Sequence, residues 1–246
     1  ARAEEALTAD SGQVRLLKVR ALAMMGEWDK VKEQGEPLLE QKLDPLWTAQ
    51  LHVYLGQAAF LEDLLEEADG HYTTSLDLIL THTPLKKQRR NRLLANVYFY
   101  QGRVYGRLFR KLGFKMPVER MMFDMTDKLA LMRQAEEIYL AAVRVRDEKW
   151  SPRAGFEVAS LYESFATELL RAEIPADLTE LEVQVYTEEL NKKVVPFLMQ
   201  AKDIHEKNAG MCTTYGLKSE WKTRSAKKAA EIDGLISSIK EKNPSN

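Results

Sequence analysis

The 246-residue chain has little of what builds disulfide scaffolds, membrane spans or motif-bearing enzymes. Cys212 is its single cysteine, so an internal disulfide is excluded. Its 8 prolines and 12 glycines fall mostly between stretches with helical spacing of apolar residues. No apolar run is long enough to cross a membrane. The four histidines lack the spacing of a zinc site, and no glycine-rich phosphate-binding motif or nucleophile elbow occurs. We therefore predict no catalysis, no metal site and no cofactor.

Amphipathic helical patterns run through the whole chain instead. The pattern predicts paired helices over residues 11–45, 46–83, 86–148 and 151–208, and a last helix over about 217–240. In the second and third pairs the first helices are expected to span 46–67 and 86–112. No strand is predicted. An isolated helical hairpin cannot bury its apolar stripe, so we expect an all-α solenoid of about four antiparallel hairpins with a C-terminal capping helix.

Short signals predict where several helices begin and end. Gly26 is expected to end a helix and Asp29 to cap the next one, and a second turn is expected at Asp69-Gly70-His71-Tyr72. Thr179, followed by Glu182, has the spacing of a capping box. Pro117 suits a first helical turn, whereas Pro196 should kink its helix.

The turn residues resemble those of tetratricopeptide (TPR) repeats. The resemblance rests on Gly26-Glu27-Trp28-Asp29, on Ala21 before this turn and on Pro45 after the second helix. The units are longer than the ~34 residues of a standard repeat. The resemblance implies stacked hairpins with a groove for protein partners, and no catalytic residues come with this family.

The C-terminal half resembles a narrower class, the long-helix TPR proteins associated with cell envelopes of gliding and predatory bacteria. The similar segments lie within about residues 130–235. They are residues 135–139, 150–154 and 161–165, the Pro175 loop and Glu220-Trp221. This resemblance implies a periplasmic or envelope-associated scaffold in a motility or envelope assembly. A cytoplasmic location remains the alternative.

The N-terminus begins inside a helical pattern. Ala1 to Leu7 resemble the second helix of a repeat already under way, with no initiator Met and no signal-peptide pattern. We therefore expect residues 1–246 to form a single helical repeat domain that belongs to a longer protein.

Charge is strongly segregated along the chain, although the net charge is only −1. Residues 1–85 carry 7 basic and 15 acidic residues, whereas residues 86–120 carry 11 basic residues and one acid, Glu119. On one helix, part of the basic block falls on a narrow stripe, because helical residues advance 100° each. The stripe consists of Arg89, Asn96, Tyr100, Arg103, Arg107 and Arg110.

Arginine suits bidentate contact with carboxylates, so the stripe is a candidate partner-binding surface. We expect a non-catalytic protein–protein interaction scaffold that recognises an acidic or carboxylate-bearing segment of a partner. Three alternatives remain. The stripe is a solvated face or pairs with the acidic N-terminal hairpins; the array is held by its ends with the groove unused; or the chain binds nucleic acid or a regulatory ligand. The slightly acidic net charge disfavours nucleic acid. The sequence indicates no oligomeric state.

Overall fold

The computed structural model describes residues 2–89, 91–217 and 219–242, with side chains described from Gly12 to Glu241. Every regular element in these ranges is a helix, which confirms the all-α prediction. The helices are α1 (Arg2–Met25), α2 (Trp28–Leu39), α3 (Pro45–Leu61), α4 (Leu65–His82), α5 (Leu85–Gln88), α6 (Arg92–Lys111), α7 (Val118–Val145), α8 (Trp150–Leu170), α9 (Glu180–Thr214) and α10 (Glu220–Lys242). None of the helices in the described residues is both long and apolar enough to cross a membrane.

The internal contacts divide the chain into two compact units, unit 1 (Ala1–Val104) and unit 2 (Tyr105–Asn246). The division falls within α6. The arrangement of the helices as one solenoid domain of four hairpins stays a prediction.

Unit 1 contains two successive helical hairpins. α1 pairs with α2 and α3 with α4, and both α1 and α2 also contact α3. The α1–α2–α3 core is apolar. Gly35 lets α2 approach α3 closely, because a Cβ there would lie 3.0 Å from a methyl carbon of Leu55. The buried core residues are Leu16, Val19, Val31, Leu38, Leu51, Leu55 and Ala58.

The first predicted turn is confirmed and the second is wrong. α1 ends at Met25, and Gly26 has a φ of +79°. Gly70 instead lies inside α4, because α3 ends at Leu61 and not at Glu67. The chain turns at residues 62–64, where Asp63 adopts a φ of +66°, a conformation that aspartate tolerates better than most residues. Gly70 is exposed, so no packing contact is lost because it has no side chain. Its only cost within α4 is the low helix propensity of glycine.

Other predicted boundaries also shift. Asp29 lies in the first turn of α2, where Glu27 occupies the cap position without a side-chain hydrogen bond. The predicted helix over 86–112 is two helices, α5 and α6. Asn91 separates them, since its side chain accepts a hydrogen bond from the Leu94 amide as a helix cap does. Residues 2–7 belong to the same helix as residues 11–25, so the separate N-terminal helix is wrong there, and Ala1 lies outside the described residues.

Unit 2 is built around α8, which contacts α7, α9 and α10. The capping box at α9 is confirmed, because the Thr179 amide donates to the Glu182 carboxylate at 2.8 Å and the Glu182 amide donates back to the Thr179 hydroxyl. α7 begins directly after Pro117, and α9 continues through Pro196. The buried residues of α9 begin only at Val194.

A buried asparagine joins three helices of unit 2. Asn208 on α9 donates to the Pro152 carbonyl on α8 and to the Ser225 hydroxyl on α10, each at 2.9 Å. Gly155 faces Asn208 so closely that no Cβ would fit between them. The hydrogen bonds fix how the three helices align.

Candidate functional site

A groove of about 230 Å³ opens in unit 1 between α1 and α3, the first helices of the two hairpins. Its residues share one face on each helix, at spacings of three or four residues. The groove is lined by Gln13, Leu16, Leu17 and Arg20 of α1 and by Trp47, Gln50 and Tyr54 of α3.

Four polar side chains of the groove are available to a ligand. Gln13, Arg20, Gln50 and Tyr54 make no hydrogen bond or ion pair with the described part of the chain. Burial raises the pKa of Tyr54 above its usual range, and Arg20 partly opposes that rise. The Tyr54 hydroxyl therefore stays neutral and can donate or accept a hydrogen bond. Amide, guanidinium and phenol groups together can bind both peptide carbonyls and carboxylates.

Apolar groups complete the groove. Leu17 is 58% exposed, and the Trp47 ring is half-buried. The volume lies below the roughly 300–1,000 Å³ typical of small-molecule pockets. The groove therefore suits one or two side chains of a polypeptide better than a cofactor.

Sequence reasoning missed this groove, because its two halves come from different helical hairpins. One sequence signal did point to the groove. Leu17 is exposed, and it lies on the same face of α1 as the polar residues Gln13 and Arg20, four residues after the first and three before the second. The spacing of Trp47 and Tyr54 repeats that pattern on α3. Only the contact between α1 and α3 brings the two sets together.

The stripe residues of unit 1 differ in what they contact. Arg89 lies outside α6, in the extended residue that ends α5, and is exposed. Asn96 is half-buried on α6. The Arg103 guanidinium lies 4.6 Å from the centre of the Phe60 ring, and the Tyr100 ring stacks against Tyr72 at 6.2 Å. Arg103 therefore contributes to packing as well as to surface charge, and Tyr100 contributes to packing.

The stripe residues of unit 2 are Arg107 and Arg110. Arg107 is half-buried and has interactions within the protein. Arg110 pairs with Glu157 of α8 at 3.2 Å and donates to the Gly106 carbonyl at 3.4 Å. Arg110 is thus engaged within unit 2, with an acidic residue of α8 and not with one of the N-terminal hairpins. The binding of one partner by all six stripe residues stays a prediction.

Two histidines meet between α3 and α4. The Nδ1 atoms of His52 and His71 lie 2.9 Å apart, so one ring donates its Nδ1 proton and the other accepts it. Burial and the neighbouring His71 lower the pKa of His52 to about 4, and burial lowers the pKa of His71. Both rings are therefore neutral near pH 7. Within the described ranges, no three His, Cys, Asp or Glu side chains cluster as metal ligands would.

Lys128 of α7 is a fully buried cation in unit 2. Its ammonium donates to the Phe109 carbonyl at 2.7 Å and to the Leu112 carbonyl at 2.5 Å, and it pairs with Glu168 of α8 at 2.6 Å. These carbonyls lie at the C-terminal end of α6, which carries partial negative charge. The position of Lys128 is therefore explained by helix capping.

No known protein family and no curated protein sequence matches this chain. Among solved structures, the crystal structure of BtubC (BKLC) from P. vanneervenii is similar, with a TM-score of 0.38 and 10% sequence identity. The similarity covers 94% of this chain and 91% of that one. A similarity this low identifies neither a fold family nor a function.

Proposed function

We propose that this protein is a non-catalytic protein–protein interaction scaffold whose groove between α1 and α3 holds a short segment of a partner. The proposal rests on one observation. Four polar side chains around Trp47 make no hydrogen bond or ion pair with the described part of the chain. Polar groups placed around an apolar floor give a polypeptide both affinity and register. Arg20 favours a segment that presents a carboxylate.

The TPR resemblance supports this assignment, since TPR arrays line their binding surface with the first helix of each hairpin, and α1 and α3 are such helices. On the separate resemblance of the C-terminal half to long-helix envelope-associated TPR proteins, we propose a bacterial envelope assembly as the setting. The basic stripe is a second candidate surface for the same acidic class of partner, and Arg89 is its most exposed arginine in unit 1.

The test is a selection of binders from a displayed library of random twelve-residue peptides, followed by fluorescence anisotropy of the selected peptides. Arg20→Gln/Tyr54→Phe removes the cation and the phenol from the groove. Loss of a charge-assisted hydrogen bond costs about 1.5–3 kcal/mol, so we expect the Kd to rise by roughly ten- to a hundredfold.

Two matched variants make the result specific. Lys18→Gln removes an exposed charge from α1 outside the groove and should leave the Kd unchanged. Arg103→Gln/Arg107→Gln removes two stripe charges. If the selected peptides bind only this stripe variant more weakly, the binding site lies on α6 and not in the groove. An unenriched library, or equal affinity for all variants, would refute the groove as a peptide site.

A further inference from the structure

Unit 2 carries a second charged surface at the end where two helical turns meet. The α7–α8 turn spans residues 146–149, and α9 and α10 are connected by residues 215–219. The Arg146 guanidinium lies 5.8 Å from the centre of the Tyr215 ring, which joins the two connections. Arg153 of α8 lies 5.6 Å from the Trp221 ring of α10.

Four cations at this end lie over aromatic rings, and we call them the ring-backed cations. They are Arg146, Lys149, Arg153 and Arg224. Lys149 is 4.9 Å and Arg153 5.7 Å from the Trp150 ring. Arg224 is 4.1 Å from the Trp221 ring and 5.1 Å from the Phe156 ring. A guanidinium on an aromatic face can present its N–H edges to a planar anion while the ring restricts its motion, which applies here to Arg146 and Arg224.

Three of the ring-backed cations lack an acidic partner. Arg146, Lys149 and Arg224 are exposed and form no ion pair with any residue that the structure describes. The nearby carboxylate of Asp147 is buried and accepts hydrogen bonds from the backbone amides of Lys149 and Trp150, at 3.0 and 2.9 Å. Asp147 therefore caps α8.

We propose that the ring-backed cations form a docking site for an acidic polypeptide segment. Arginine edges pair bidentately with Glu and Asp carboxylates. Tyr215, which is 53% exposed, offers apolar contact to the stems of such side chains. The site is separate from the groove and does not depend on it.

Charge favours a polypeptide over nucleic acid at this site. The chain has a net charge of −1, so it lacks the excess of positive charge on which binding of a long polyanion depends. A short acidic segment needs only the local cations. Exposed Glu148 and Glu220 also lie at this end and limit the site to a short ligand.

The test uses fluorescein-labelled octaglutamate in anisotropy titrations against the full chain. Arg146→Gln/Arg224→Gln removes two ring-backed cations and should raise the Kd by about tenfold or more, since each lost charge-assisted contact weakens binding several-fold. Lys86→Gln/Lys87→Gln removes the same charge from α5 and should change the Kd by less than about twofold.

Tryptophan fluorescence locates the binding. Trp28→Phe/Trp47→Phe leaves Trp150 and Trp221 as the only two of the four tryptophans. We expect unlabelled octaglutamate to change the emission of this variant. Octaglutamate binding should persist in the groove variant Arg20→Gln/Tyr54→Phe, so failure of the groove and failure of this site are distinguishable.

Three outcomes would overturn the proposal. The first is no binding of octaglutamate, and the second is an equal loss of affinity in the Arg146/Arg224 and Lys86/Lys87 variants. The third is tighter binding of an eight-nucleotide oligothymidine than of octaglutamate, lost with Arg146→Gln/Arg224→Gln. That result would make the surface a nucleic-acid site.

Discussion

Replacing Gly70 by alanine tests the course of the chain through the second hairpin. Gly70 lies within α4, and a Cβ built there meets no atom within 4 Å. Alanine therefore loses nothing to packing and gains helix propensity. We expect Gly70→Ala to raise the free energy of unfolding by roughly 0.5–1 kcal/mol.

Gly26→Ala is the matched control, because a Cβ at Gly26 also meets nothing within 4 Å. The two glycines differ in backbone conformation, since Gly26 has a φ of +79°. A left-handed conformation costs an L-residue about 1–2 kcal/mol, so Gly26→Ala should lower the free energy of unfolding by that amount. The sign of the change thus reports the local backbone alone.

The assay is urea denaturation of the wild type and the two variants, monitored by circular dichroism. The three curves are fitted with one common dependence of the free energy of unfolding on urea concentration. Opposite shifts of the midpoint, upward for Gly70→Ala and downward for Gly26→Ala, would confirm α4 as a continuous helix. If Gly70→Ala lowered the free energy of unfolding as much as Gly26→Ala does, a continuous helix α4 through Gly70 would be refuted. It would restore the turn that the Gly-aromatic pattern predicted.

Two further predictions concern the interior of unit 2. Lys128→Met should lower the free energy of unfolding by about 3 kcal/mol, because two helix-end carbonyls and Glu168 lose their shared partner. A loss under about 1 kcal/mol in urea denaturation would contradict that role. Burial lowers the pKa of His205 to about 4, and the charge of Lys228 is a smaller cause of the same shift. The neutral His205 ring therefore gives the folded state its full stabilisation above pH 6.5. The free energy of unfolding falls by about 3 kcal/mol as the pH drops towards 4. His205→Leu should reduce the difference in free energy of unfolding between pH 7 and pH 5, and an unchanged difference in urea denaturation would contradict this role.

Sequence patterns predicted the elements that depend on neighbouring residues. The turn at Gly26 and the capping box of Thr179 and Glu182 each involve at most four residues, and both are confirmed. The turn at Gly70 failed because a glycine signals a turn only if the chain needs its backbone freedom. Here Asp63 adopts the positive φ instead.

Features that depend on distant residues could not be predicted. The groove combines α1 with α3, and neither helix alone distinguishes a binding face from a solvated one. The burial of Lys128 depends on where α6 ends, and a lysine in an amphipathic pattern otherwise reads as surface. Both features follow from the packing between helices.

The late start of burial in α9 has a consequence for local stability. Residues 180–193 form the N-terminal part of α9 and precede its first buried residue, Val194. Tertiary packing therefore stabilises this part of the helix only weakly. Its persistence depends on its own backbone bonds, the Thr179 capping box and local pairs such as Lys192 with Glu189 at 2.9 Å. Helices of this length are marginal in water without packing. This segment should therefore open independently of the rest of unit 2, and its backbone amides should exchange with deuterium well before those around Ala201 and His205.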